Sequence, residues 1–150
     1  MYDQTRPERS LAAMTYEQML ERVRYEGAYP TRERAEQAVR AVLGALGCQV
    51  TGDERVDLAR CLPVEAALTL TASAPATGQL TGWGFIKDLA ARTGATPATT
   101  RWDTGAVLAA VAALAGPDLL TRILGQLPDG YALLFGRAQL SRPRPQPVAA

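Results

Sequence analysis

Hydrophobic positions between residues 35 and 46 recur with the period of an α-helix. Ala35, Ala38, Val39, Val42, Leu43 and Leu46 fall at i, i+3, i+4, i+7, i+8 and i+11, one stripe of a helix with 3.6 residues per turn. Arg32, Glu33, Arg34, Glu36, Gln37 and Arg40 fill the opposite face, and Gly47 suits its end. Upstream, "TYEQMLERV" sets Thr15 and Gln18 at capping-box spacing before a stripe of Met19, Leu20 and Val23. Gly27 and Pro30 break that helix. Downstream, Thr51 and Glu54 repeat the capping-box spacing ahead of Val56, Ala59 and Leu62. Pro63 then suits the first turn of a fourth helix, where its missing N–H is no loss.

"TASAPATGQ", residues 71–79, is small, polar and broken by Pro and Gly, the composition of a linker. After it the pattern restarts. "WGFIKDLAARTG" predicts a short helix ended by Gly94, Pro97 precedes a long helix to Gly116, Pro117 opens a third and Pro128 a fourth. No segment alternates β-branched and polar residues between hairpin turns. The expectation is an all-α fold of about eight helices, in two pseudo-repeats of four packed as one bundle-like domain. The first repeat spans 14–70, a linker 71–80 and the second repeat 81–137. Residues 1–13 and the Pro-rich 138–150 are expected to be disordered.

The two halves share punctuation as well as pattern. Pro30 lies 33 residues before Pro63, Pro97 lies 31 before Pro128, and both halves carry a Leu-Pro step. Each half is small for a core of its own, so the halves are expected to dock on one another. Aligning the long helices on their Ala-Val steps sets Arg34 against Trp102 and Arg40 against Leu108. Aligning the Leu-Pro steps sets Glu54 against Leu119 and Arg55 against Leu120. Charged positions of the first half thus meet large apolar ones in the second, and the charged residues fall from 16 in 15–70 to eight in 81–136.

The "AEQAVRAVLGALG…LARCLP" segment and its divergent second copy resemble a bacterial family of small all-helical proteins, a domain of unknown function common in actinobacteria. The resemblance covers roughly residues 14–137 and rests on a packing motif. It implies a helical fold with paired repeats and carries over no activity and no catalytic residue.

Composition narrows the chemistry. The chain of 150 residues has a net charge of +1 and is 47% hydrophobic, so neither a polyanion nor an anionic membrane is the expected partner. It has no histidine, the usual general base and commonest metal ligand. Its two cysteines, Cys48 and Cys61, lack CxxC spacing and an activating neighbour. No phosphate-binding glycine motif follows a strand, and the carboxylates sit among arginines as solvated pairs. No catalytic, metal or cofactor-binding residue is expected. The polar N-terminus and the lack of an apolar run near the ~18 residues of a membrane span point to a soluble, cytoplasmic protein.

Three functions remain open. The first is a non-enzymatic module for protein–protein contact or for self-association as a homodimer, with Trp102, Leu108, Leu119 and Leu120 as interface candidates on an apolar face. The second is a nucleic-acid regulator using Arg32, Arg34 and Arg40, disfavoured because seven arginines meet nine carboxylates in 15–70. The third is a small-molecule pocket between the repeats, roofed by Trp83, Phe85 or Tyr131.

Overall fold

The structure, a computed structural model, describes residues 14–137, and every regular element among them is a helix. The segments 1–13 and 138–150, expected to be disordered, lie outside the described residues. Seven helices follow in order: α1 (Tyr16–Gly27), α2 (Arg32–Gly47), α3 (Gly52–Cys61), α4 (Val64–Thr71), α5 (Gly82–Thr93), α6 (Pro97–Gln126) and α7 (Tyr131–Leu134). The two helices expected at Pro97 and Pro117 are one 30-residue element, α6, broken at Gly116 (φ 84, ψ 163). A side chain would be strained at those angles, and Pro117, which has no N–H to lose, resumes the helix.

Threonines start most of these helices. Thr15 accepts from the Gln18 amide and donates its own N–H to Gln18 Oε1, both at 3.0 Å, the capping box written in the sequence. Thr31, Thr81 and Thr96 accept from the amides of Arg34, Gly84 and Thr99. Thr51 differs from expectation, for its side chain makes no cap bond. Gln126 from α6 binds the Thr51 backbone instead, accepting its N–H at 2.8 Å and donating to its carbonyl at 3.2 Å. Glu54 is drawn away from the cap by the same Gln126 and by Arg122. A tertiary contact has replaced a local one.

α6 runs through the middle of the fold and packs on α1, α2, α3, α5 and α7. Its Val107, Leu108, Val111 and Ile123 are fully buried in one cluster with Met19, Val39, Leu43 and Leu46. Each such side chain contributes roughly 1.5–3 kcal/mol of hydrophobic stabilisation. By length and composition α6 is also long and apolar enough to cross a membrane, because the helix continues past Gly105 and Gly116. At the other end of the core, Gly47 meets α4 so closely that a Cβ there would collide with the Leu70 carbonyl.

α2 starts after Thr31 and α6 after Thr96, so Leu108 lies as far past its cap as Leu43 does, and Trp102 as far as Gln37. Counted from the caps, Leu108 therefore matches Leu43 and not Arg40, with which the Ala-Val alignment pairs it. Leu62 (φ −99, ψ 155) and Leu127 (φ −100, ψ 150) end their helices with the same extended backbone.

Candidate functional site

Asp103, in the second turn of α6, gathers the polar groups that join α6 to the α1–α2 hairpin. The Tyr29 hydroxyl donates to its Oδ1 at 2.6 Å, and Arg34 Nη2 donates to Oδ1 and Oδ2 at 3.2 and 3.1 Å. The Arg34 guanidinium also lies 4.9 Å from the centre of the Tyr29 ring, a cation–π contact. Burial, and then the hydrogen bond to Asp103, push the Tyr29 hydroxyl well above the ordinary tyrosine range. Next to Asp103, Trp102 Nε1 donates to the Gly27 carbonyl at 2.9 Å and so ties down the C-terminus of α1.

A cleft of about 290 Å³ opens beside this cluster, between α2 of the first half and α5 and α6 of the second. Its lining mixes polar residues, Arg34, Gln37, Thr93, Thr99, Thr100 and Asp103, with apolar ones, Ala41, Val42, Leu89 and Ala95. Thr100 is buried, and its hydroxyl has no hydrogen-bond partner among the described residues. The Thr104 hydroxyl, one turn along α6, is in the same condition. Buried hydroxyls without partners are uncommon and costly. Thr100 as a residue lines the cleft, but its hydroxyl oxygen is sealed from it.

The structure scatters the residues that the sequence singled out. Leu108, Leu119 and Leu120 are buried within the single chain, so the apolar interface face expected of them is corrected to internal core. Leu108 is there because it follows the register of Leu43. Trp102 alone of that set is exposed, at 59%. Arg32, Arg34 and Arg40 each have a carboxylate partner, Glu21 at 3.2 Å, Asp103 at 3.1 Å and Glu36 at 3.0 Å. Phe85 and Tyr131 are buried against each other edge to face, with centroids 5.7 Å apart. Trp83 is exposed, with the Lys87 ammonium 6.0 Å from its ring.

Neither cysteine is poised for chemistry. Both are free and half-buried, and burial and then Asp57 push the Cys61 thiol up, away from the nucleophilic thiolate. Among the described residues no three of His, Cys, Asp and Glu cluster as metal ligands would. Sequence reasoning missed Tyr29, Asp103 and Thr100. A signal existed for the last: Thr100 and Thr104 fall in phase with Val107, Leu108 and Val111, putting hydroxyls on an apolar stripe.

The family described as uncharacterized conserved protein (DUF2267) matches residues 16–134, from the first turn of α1 to the end of α7. The chain belongs to that family. No curated protein matches it. For DUF2267 the match therefore covers the whole helical body, including every residue that lines the cleft.

Proposed function

We propose that this DUF2267 chain is a non-enzymatic helical binding module whose ligand site is the cleft between α2, α5 and α6. The observation that carries the proposal is the cleft itself, about 290 Å³ between α2, α5 and α6 with one charged pair in a lining of small and aliphatic side chains, since a concave site with a few polar groups is where small ligands bind. The lining supports it, with Arg34 and Asp103 paired among aliphatic side chains. The proposal includes two pseudo-repeats, supported by the matched threonine caps and Leu-Pro steps, with the cleft at their junction. A thermal-shift panel of neutral, acidic and basic metabolites tests it. Compounds that raise the Tm of the wild type and leave a folded Ala41→Trp variant unchanged support the cleft. Equal stabilisation of both proteins, or of neither, contradicts it.

A second proposal, contact with a protein partner, is favoured by α4. Val64 and Leu68, one turn apart there, are 70% and 65% exposed. Such a pair is what a partner's apolar face covers. Loss of self-association or of a captured partner in Val64→Asp/Leu68→Asp, with the Tm unchanged, supports that contact; no change in either contradicts it.

A further inference from the structure

Two exposed surfaces of the chain are complementary to one another. The first lies at the start of α6. Trp102 is exposed, yet its Nε1 is held by the Gly27 carbonyl, so the ring is fixed in place while much of it meets solvent. Arg101 beside it is exposed and has no carboxylate partner among the described residues, since Glu26 and Asp103 are paired with Arg22 and Arg34. Its guanidinium folds onto Gly105, where a Cβ would lie 3.1 Å from Nη1. Glu26, Arg101, Trp102, Gly105 and Ala106 line one hollow of about 210 Å³. Trp and Arg are the side chains that most often anchor protein interfaces. Trp83, the other exposed indole, differs because Lys87 already lies against its ring.

The second surface is the outer face of α4. Glu65 stands there with the exposed Val64 and Leu68 on either side in sequence, and it has no cationic partner among the described residues. One spare carboxylate beside two aliphatic side chains matches one spare guanidinium beside an indole. α1 separates the two surfaces. The Glu65 charge acts on the Tyr16 hydroxyl at the start of α1, and Trp102 binds Gly27 at its end, about 18 Å along a 12-residue helix. One copy therefore cannot close the contact on itself.

Resting on the α4 contact proposed above, we infer that the chain associates head to tail with a second copy, α4 of one copy docking on the Trp102 hollow of the next. Val64 and Leu68 cover the indole, and Glu65 pairs with Arg101. A nucleic acid is disfavoured, because the spare positive charge is a single one set beside Glu26 and Asp103. The contact is heterologous, so every added copy leaves one surface of each kind open.

Sedimentation equilibrium of the full chain over a wide concentration range tests this. The average mass of the wild type is expected to keep rising with concentration. Arg101→Glu and Glu65→Arg, both at exposed positions, are each expected to weaken association at least about tenfold, as a like-charge contact in place of an ion pair requires, with unchanged melting curves. Lys87→Glu is expected to associate as the wild type does. Arg101→Glu mixed with Val64→Asp/Leu68→Asp is expected to form a one-to-one dimer and nothing larger, because each variant keeps one intact surface. A monomeric wild type, a mixture that stays monomeric, or loss of association in Lys87→Glu overturns the inference. Undiminished association of Arg101→Glu also overturns it, and leaves the α4 contact standing if Val64→Asp/Leu68→Asp is monomeric.

Discussion

Tyr29 and Asp103, 74 residues apart in the chain, are joined by a 2.6 Å hydrogen bond from the phenol to the carboxylate. The bond links the turn after α1 to the start of α6, and Arg34 holds the same carboxylate from α2. Three helices are thereby set around one side chain, beside the cleft they help to form.

Tyr29→Phe removes one donor and leaves Arg34 in place. The expected cost is about 1.5–2 kcal/mol, the range for a hydrogen bond to a charged group. Asp103→Ala leaves both the phenol and the guanidinium without their partner and is expected to cost more, roughly 3 kcal/mol. Chemical denaturation of the two single variants and the double variant measures the coupling. Additive losses would mean that the two residues act independently.

The unpartnered hydroxyls make an opposite prediction. Thr104→Val replaces a fully buried hydroxyl by a methyl of the same shape and is expected to stabilise the protein by about 1 kcal/mol. Thr100→Val is expected to stabilise the protein similarly. A fall in Tm for Thr104→Val would show that its hydroxyl has a partner.

Leu108→Glu places a carboxylate at a fully buried site and is expected to abolish folding, with Leu108→Ala costing roughly 2–5 kcal/mol. Circular dichroism melts check both. A folded Leu108→Glu with altered oligomeric state would restore Leu108 to an interface.

The helical class, the first capping box, the linker and the breaks at Gly94 and Gly116 were all legible in the sequence, since each follows from local backbone chemistry. The cleft was not. Asp103 acquires its role from Tyr29 and Arg34, which the fold brings to it from the other half, and no spacing in the sequence encodes that meeting. The burial of Leu108, Leu119 and Leu120 was hidden for a related reason: "GAVLAAVAALAG" slides against "AVRAVLGALG" with little penalty, and the threonine caps that give an offset of their own lie outside both strings.

Alkaline pH should unfold the protein in a defined window. Burial and the bond to Glu36 push the Tyr16 hydroxyl from 10.0 to about 12, and burial raises Tyr29 and Tyr131 further. These phenols ionise more easily in the unfolded chain. Their contribution is therefore complete below pH 10, the unfolded value, and is lost as the pH climbs through the folded value of Tyr16, about 12. Urea midpoints measured from pH 8 upward check this. A flat profile to pH 12 would contradict it.

The central claim, that the cleft between α2, α5 and α6 is a ligand site, is tested most directly by native mass spectrometry. Wild type and a folded Ala41→Trp variant are each incubated with the small-molecule fraction of a cell extract and desalted gently. The predicted result is one small-molecule adduct on the wild type, absent from Ala41→Trp. No adduct on the wild type, or the same adduct on both proteins, would contradict the claim.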